Sequence, residues 1–135
     1  MKIEFFLPMQ KPPTVTQQEH QVRVVNGKPI FYEPQELKAA RQLLMDSVAR
    51  YVPEHPLDGP VQLITKWIWK GEGKGASYKV TKPDTDNLIK MLKDCMTRAG
   101  FWHDDAQVAS EITEKFWSDI PGIYVKVVTL DEQRN

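Results

Sequence analysis

One apolar stripe constrains the fold of this 135-residue chain more than any other feature of its sequence. Its residues recur at alternating spacings of three and one: Leu88, Met91, Leu92, Cys95, Met96 and Ala99. This spacing places them on one face of an α-helix, and such a face is stable only when it is buried against other elements. Gly100 follows directly and is suited to end the helix, because glycine adopts the left-handed conformation without strain. The stripe therefore predicts an amphipathic helix whose opposite face is open to solvent.

Strand patterns lie on both sides of this predicted helix. The strongest is residues 61–70, where one face of a strand would carry Val61, Leu63, Thr65, Trp67 and Trp69. Weaker patterns predict strands at residues 3–7, 21–25, 28–32, 108–117 and 123–130. Asn26-Gly27 is predicted to form the tight hairpin turn between the second and third of these, and residues 118–122 are predicted to form the turn between the last two.

The remaining segments complete a fold prediction. A first helix is expected from Pro34 to about Val52, where apolar residues recur every three or four positions, and residues 71–80 are expected to form a surface loop. Together the patterns predict an α+β (mixed α/β) fold in a single domain, residues 1–135, with a mixed sheet of four to five strands packed with two main helices. A chain of this length is sufficient for one hydrophobic core.

Composition narrows the classes of protein to consider. Lys and Arg together number 18, as do Asp and Glu, so the net charge is zero and composition alone does not indicate a nucleic-acid-binding protein. Cys95 is the single cysteine, which excludes an internal disulfide. No segment approaches the roughly 20 apolar residues of a membrane span, and the first residues lack the apolar run of a secretory signal. The expectation is a cytoplasmic protein without a membrane partner.

Carboxylates lie at both ends of the predicted helix. Asp84 and Asp86 stand at its start, and Asp104 and Asp105 follow its end. Lys90 lies four residues after Asp86 and so shares a helix face with it. Carboxylate oxygens suit a hard divalent cation such as Mg²⁺, which polarises a phosphoryl oxygen and activates water, and a nearby lysine stabilises developing negative charge. The hypothesis is an acidic metal site held by the helix.

Each of these residues also has a plainer interpretation. Asp84 or Asp86 suits the cap or first turn of a helix, Asp86 and Lys90 suit an exposed helical pair, and Asp104-Asp105 suits a polar turn. Taken one at a time, the plainer interpretation is favoured, because D-x-D is a weak signal by itself. Spacing alone therefore leaves a metal site and a capped helix both open.

Several rival sites are excluded by the residues present. An EF-hand calcium loop needs Asp or Asn and then glycine where Leu88 and Ile89 stand. No glycine-rich stretch is followed by the Gly-Lys-Ser/Thr of a nucleotide-binding loop. The three histidines are scattered and lack cysteine pairs, which disfavours a zinc site. Cys95 is expected to be a buried small apolar residue rather than a nucleophile.

Residues 83–108 resemble the core of the RusA family. The members of this family are Holliday junction resolvases of bacteria and their prophages. The resemblance rests on two coupled motifs: Asp84-Thr85-Asp86-Asn87-Leu88-Ile89-Lys90 matches D-x-D-N-x-x-K, and Gly100-Phe101-Trp102-His103-Asp104-Asp105-Ala106-Gln107-Val108 matches G-x-x-x-D-D-x-Q-V. The joint match is highly specific. The proline-rich segment at residues 7–14 resembles the family's opening, although the asparagine expected after it is absent. The arginine-rich run expected before Asp84 is replaced by dispersed lysines.

The resemblance implies a Mg²⁺-dependent endonuclease that resolves Holliday junctions by paired symmetric cuts in DNA recombination and repair, leaving 5′-phosphate and 3′-hydroxyl ends. Asp84, Asp86 and Asp105 match carboxylates that bind Mg²⁺, for which Mn²⁺ substitutes, and that are needed for cleavage. Lys90 matches the catalytic lysine, and Asp104 stands beside them as an auxiliary metal ligand or outer group. The resemblance also implies a homodimer, with branched DNA (four-way junctions) as its partner.

Six lysines are candidates for the DNA surface: Lys66, Lys70, Lys74, Lys79, Lys82 and Lys93. Residues 66–98 hold eight basic and four acidic residues, a local positive excess that suits either a phosphate-facing or a merely solvated surface. Two further hypotheses stay open at this point. One is a non-catalytic binder of branched DNA with the same fold, and the other is a structural or protein-interaction domain whose carboxylates only cap a helix.

Overall fold

The computed structural model describes residues 1–13, 21–25, 27–32, 35–71 and 75–130. Within these residues the strands are β1 (Lys2–Pro8), β2 (Gln21–Val25), β3 (Lys28–Tyr32), β4 (Val61–Lys70), β5 (Ser77–Tyr78), β6 (Val108–Ser118) and β7 (Gly122–Thr129). The helices are α1 (Gln35–Ala49) and α2 (Thr85–Ala99), and a short 3₁₀ helix (Asp105–Gln107) precedes β6. In the part of the chain that the structure describes, no helix is long and apolar enough to cross a membrane.

β4 is the centre of a five-stranded sheet with the strand order β1-β7-β4-β6-β5. It pairs in parallel with β6 and antiparallel with β7, and the outer pairs β1–β7 and β5–β6 are antiparallel. A parallel pair needs a long crossover connection, and the segment that includes α2 supplies it. β2 and β3 form a separate antiparallel pair, and Asn26 of the turn predicted between them lies outside the described residues. The predicted α+β fold with a mixed sheet and two helices is therefore confirmed.

The core lies between one face of the sheet and the two helices, which also pack on each other. The predicted buried face of β4 is confirmed, since Val61, Leu63, Thr65, Trp67 and Trp69 are all buried. The indole N–H of Trp67 donates to the Thr65 hydroxyl at 2.8 Å, so this buried polar pair is satisfied. Burying large apolar side chains of this kind contributes roughly 1.5–3 kcal/mol each to folding.

α2 presents its predicted apolar stripe to this core, with Leu88, Met91, Leu92, Cys95 and Met96 buried. Its backbone ends at Gly100, whose φ of 104° is left-handed and whose N–H donates to the carbonyls of Met96 and Thr97. The helix therefore begins and ends where the sequence predicts. Its opposite face stays available for the charged residues described below.

The structure differs from the sequence predictions in two places. α1 ends at Ala49 rather than near Val52, because Pro53 disfavours a helical conformation in the residue before it. Residues 77–78, predicted as loop, form the edge strand β5 against β6, and two residues are too few to give a strand pattern. The predicted turn at residues 118–122 does connect β6 to β7, and these two strands lie on opposite sides of β4.

Candidate active site

A depression of about 360 Å³ lies between the outer face of α2 and the start of β6. Its lining is almost entirely charged: Asp86, Ile89, Lys90, Lys93, Asp94, Asp105 and Glu111. Five of these residues come from α2, one from the 3₁₀ helix and one from β6. The depression thus brings together Asp86, Lys90 and Asp105, three of the four residues predicted to be catalytic. Its two lysines and four carboxylates carry charges that suit a phosphate and a cation, respectively.

Asp84 and Asp86 stand at the N-terminus of α2. Asp84 occupies the N-cap position with an extended backbone, but its carboxylate makes no capping hydrogen bond. Both carboxylates are exposed, and the positive end of the helix dipole favours their negative charge. Asp84 is not among the residues that line the depression. Asp84 is therefore the N-cap residue by position, but its side chain does not cap the helix.

The segment before Asp84 is fastened to β6 by Lys115. The Lys115 ammonium donates to the backbone carbonyls of Thr81 and Pro83, each at 2.7 Å. Lys115 faces the helices because it pairs with the buried Trp67 of β4, and paired residues share a face of the sheet. Lys115 thereby sets the position from which the chain enters Asp84 and α2.

Asp105 reaches the depression from the opposite end of α2. It is half-buried, and its Oδ1 accepts a hydrogen bond from the Thr97 hydroxyl in the last turns of α2. The same hydroxyl accepts the indole N–H of Trp102 at 2.7 Å. Asp105 is thus tied to the helix that carries Asp86 and Lys90, although it lies 19 residues beyond Asp86 in the sequence.

Asp104 has a structural task at this end of the helix. Its carboxylate accepts the backbone N–H of Ala106 at 2.8 Å, and Gln107 completes a capping box by accepting the Asp104 N–H at 3.1 Å. The Gln107 amide also donates to the carbonyls of Leu57 and Gly59, which anchors the turn to the preceding loop. Asp104 does not line the depression, and its predicted part as an auxiliary metal ligand stays a prediction.

Two carboxylates in the depression were not predicted from the sequence. Asp94 lies four residues after Lys90 on α2, a spacing that does place it on the same face. Glu111 faces α2 because it pairs with the buried Leu63 of β4, and only the strand register reveals this. Its carboxylate meets the Lys93 ammonium at 2.9 Å across the depression.

The structure distinguishes among the six lysines predicted for the DNA surface. Lys66, Lys70 and Lys82 are exposed, whereas Lys93 lines the depression in its ion pair with Glu111. Lys74 lies outside the described residues. These positions are compatible with phosphate contacts but do not test them.

Lys79 differs from the exposed lysines of that set in its burial. It is only 8% exposed, and its ammonium lies 5.2 Å from the ring centre of Trp69 and 4.1 Å from that of Trp117. It also donates to the Thr81 hydroxyl at 2.5 Å. Burial, and next the charge of Lys115, lower the pKa of Lys79. The Lys79 ammonium thus packs over both indoles at the edge of the sheet, and its predicted contact with DNA stays a prediction.

The donor set of the depression fits a hard divalent cation. The acidic side chains offer only oxygen atoms, and Mg²⁺ is held through one or two carboxylates, waters and substrate phosphate rather than a full protein cage. Among the described residues no three His, Cys, Asp or Glu side chains form a ready-made metal group, which is compatible with such partial coordination.

Comparison with known sequences identifies the class of protein to which this fold and site belong. The features that define the class are the mixed sheet, the charged depression and the D-x-D helix. The family model described as "Endodeoxyribonuclease RusA" matches residues 2–128. The chain therefore belongs to the RusA endodeoxyribonuclease family, whose members are nucleases that hydrolyse DNA. The class predicted from the coupled motifs is confirmed.

Two relatives match most of the chain. The "Crossover junction endodeoxyribonuclease rusA" of Lactococcus phage r1t is 30% identical over 110 residues, covering 80% of this chain and 83% of the relative. The "Uncharacterized protein YqaN" of Bacillus subtilis (strain 168) is 28% identical over 116 residues, covering 76% of this chain and 80% of the relative. The family match, over residues 2–128, includes the sheet as well as the motif-bearing helix.

Proposed function

We propose that this protein resolves Holliday junctions by Mg²⁺-dependent hydrolysis of paired, symmetric phosphodiester bonds, with Mn²⁺ able to replace Mg²⁺. The observation that carries the proposal is the convergence of Asp86, Lys90 and Asp105 in one charged depression, in a chain of the RusA family. The similarity to a phage crossover junction endodeoxyribonuclease supports the choice of substrate. The cellular setting of the proposed reaction is DNA recombination and repair in the cytoplasm.

The proposed division of labour follows from the charge and position of each residue. Asp86 and Asp105 hold the cation, and Asp84 adds a ligand from the N-cap of α2, where its carboxylate makes no capping bond. When bound, the cation supplies Lewis-acid polarisation of the scissile phosphate and a more acidic water. Lys90, exposed one turn after Asp86, pairs with a phosphate oxygen and stabilises the negative charge that develops there.

Before DNA binds, the two lysines of the depression have different surroundings. Lys93 is neutralised by Glu111 at 2.9 Å, whereas Lys90 lies on the same face as Asp86 and Asp94. A site with more carboxylates than lysines repels DNA phosphates until a cation enters. Metal binding is therefore expected to precede tight engagement of the scissile phosphate.

Recognition of the junction is proposed to rest on phosphate contacts and branch geometry. The exposed lysines Lys66, Lys70 and Lys82, together with Lys74, are the candidates for these contacts. Such binding weakens steeply with salt, because each phosphate contact releases counterions. A homodimer is proposed because two symmetric cuts in a nearly twofold substrate require two equivalent sites.

The test is cleavage of a synthetic four-way junction with labelled arms, compared with a linear duplex that contains one arm's sequence. The proposal expects paired nicks in the junction only, 5′-phosphate ends, and no reaction in EDTA. Asp84→Asn should reduce nicking while retaining junction binding in a gel-shift assay. Binding without nicking across Mg²⁺, Mn²⁺ and Ca²⁺ would instead favour a non-catalytic branched-DNA-binding protein, and nicking undiminished in Asp84→Asn would refute the assigned site.

A further inference from the structure

We propose that Thr97 and Trp102 are positioning residues that orient the Asp105 carboxylate for metal binding. This proposal rests on the proposed function of Asp105 as a metal ligand. It assigns roles to two residues that are neither acidic nor among those lining the depression. Their effect is exerted through Asp105 and not through contact with DNA.

The first step of the argument is the direction of the hydrogen bonds. The Trp102 indole nitrogen can only donate, so at 2.7 Å the Thr97 oxygen must accept from it. The single Thr97 hydrogen then has two acceptors within reach, the Oδ1 atom of Asp105 and the Lys93 carbonyl, the latter at 2.9 Å. A carboxylate is the stronger acceptor because its hydrogen bonds are charge-assisted. The hydroxyl is therefore directed to Asp105.

The second step is the rigidity of this hydrogen-bonded chain. Trp102 is 1% exposed, and its backbone forms a parallel bridge with Leu57. Thr97 lies on α2, whose helical backbone fixes its side-chain direction, since threonine adopts few χ1 rotamers in a helix. Both groups thus have their positions set by packing and secondary structure. The group that they orient is the Asp105 carboxylate, which lies in a three-residue 3₁₀ helix.

The third step connects orientation with metal affinity. A carboxylate held through Oδ1 can still bind a cation through its second oxygen, and its rotation is restrained before the cation arrives. Groups that orient metal ligands typically contribute 10- to 100-fold, by order of magnitude, to metal affinity or activity. Thr97 and Trp102 therefore make Asp105 a prepared ligand rather than a mobile surface carboxylate.

The experiment measures Mn²⁺ binding to the intact protein without DNA, by isothermal titration calorimetry, alongside the Mg²⁺ concentration that gives half-maximal junction cleavage. Thr97→Val keeps the shape of the side chain and removes the hydroxyl, and Trp102→Phe removes the indole N–H. Thr97→Val should weaken Mn²⁺ binding about 10-fold and raise the half-maximal Mg²⁺ concentration similarly. Thr97→Ser should restore both, and Trp102→Phe should give a smaller shift in the same direction.

The matched control is Ser47→Ala on α1. The Ser47 hydroxyl also donates to the carbonyl four residues earlier, that of Leu43, at 2.7 Å, but it does not contact a carboxylate of the depression. The Ser47→Ala substitution should therefore leave the Mn²⁺ affinity unchanged. Thermal melting of every variant separates loss of folding from loss of positioning, since a purely structural Thr97 lowers the melting temperature without moving the metal affinity.

The outcomes distinguish a failure of this positioning role from a failure of the proposed function on which it rests. If Asp105→Asn abolishes Mn²⁺ binding but Thr97→Val binds like wild type, the positioning role is refuted while the metal site stands. If Asp105→Asn itself leaves metal binding and cleavage unchanged, the proposed function of the depression fails. A 10-fold loss in Thr97→Val that Thr97→Ser does not recover would also overturn the role of the hydroxyl.

Discussion

Replacing Lys115 by Met tests whether one ammonium fixes the entry to the D-x-D motif. Lys115 donates to the Thr81 and Pro83 carbonyls at 2.7 Å each, and its side chain is half-buried. A hydrogen bond from a charged group contributes about 1.5–3 kcal/mol when shielded from water. Because Lys115 is only partly shielded, the two bonds together are expected to contribute about 2–3 kcal/mol.

This loss translates into a measurable melting shift. An unfolding entropy of roughly 2.1 cal/mol/K per residue gives about 0.28 kcal/mol/K for a chain of this length. Lys115→Met should therefore lower the melting temperature by about 7–11 °C in differential scanning calorimetry. Junction cleavage measured well below that melting temperature should also slow, because the segment that positions Asp84 is released.

Lys70→Met is the control, since Lys70 is an exposed lysine at the end of β4. It should melt within about 2 °C of wild type, because exposed surface substitutions change stability by less than about 0.5 kcal/mol. A Lys115→Met protein that melts and cleaves like wild type would refute the claim that Lys115 holds this segment.

Three further outcomes are expected. Gly122→Ala should destabilise the protein by about 2–4 kcal/mol in urea unfolding, because φ is 151° and an added Cβ would lie 2.4 Å from the Leu7 carbonyl oxygen; a loss below about 0.5 kcal/mol would contradict the close contact between β1 and β7. Burial raises the pKa of the Cys95 thiol to about 11, so Ellman's reagent at pH 8 should label it only after unfolding, and rapid labelling of the native protein would contradict the buried stripe of α2. The hydrogen bond to Glu4 raises the pKa of Tyr124 to about 12; since the folded protein then retains this proton above pH 10, the pair's stabilisation is present below pH 10 and is lost as pH rises towards 12. Glu4→Gln should move one phenol titration, followed by ultraviolet absorbance, back towards pH 10, and an unmoved titration would contradict the pair.

The sequence was sufficient for the parts of the fold that are set by local periodicity. The apolar stripe of α2 and its ending at Gly100, and the alternating face of β4, depend only on spacing along the chain, and each is confirmed. The same local rule places Asp86 and Lys90 on one helix face. The shared face of Asp86 and Lys90, two of the four residues predicted to be catalytic, could therefore be predicted without knowledge of the tertiary fold.

The rest depends on strand register, which spacing does not reveal. Glu111 enters the depression because it pairs with Leu63 of β4. Lys79 is buried because Trp69 and Trp117, 48 residues apart in sequence, become neighbours when β4 and β6 pair. A lysine in a glycine-rich stretch resembles a surface residue until those two indoles are brought together.

Asp105 shows how the family motif and the local pattern supplied different information. The coupled motifs predicted that it belongs with Asp86, and the depression brings the two together. No local pattern predicted what holds Asp105 in this position, which is the chain of hydrogen bonds from Trp102 through Thr97. Asp104, its neighbour in the motif, is instead engaged in capping the 3₁₀ helix.

The most direct test of the proposed active site is the single-turnover rate of junction nicking by Asp86→Asn at saturating Mg²⁺. Loss of a metal ligand that stabilises the transition state by about 3 kcal/mol or more should slow nicking by roughly 100-fold or more. Asp46→Asn, which changes an exposed α1 carboxylate bonded to Gln42 at 2.8 Å, should cleave like wild type. Junction nicking by Asp86→Asn at the wild-type rate would show that the depression between α2 and β6 is not the catalytic centre.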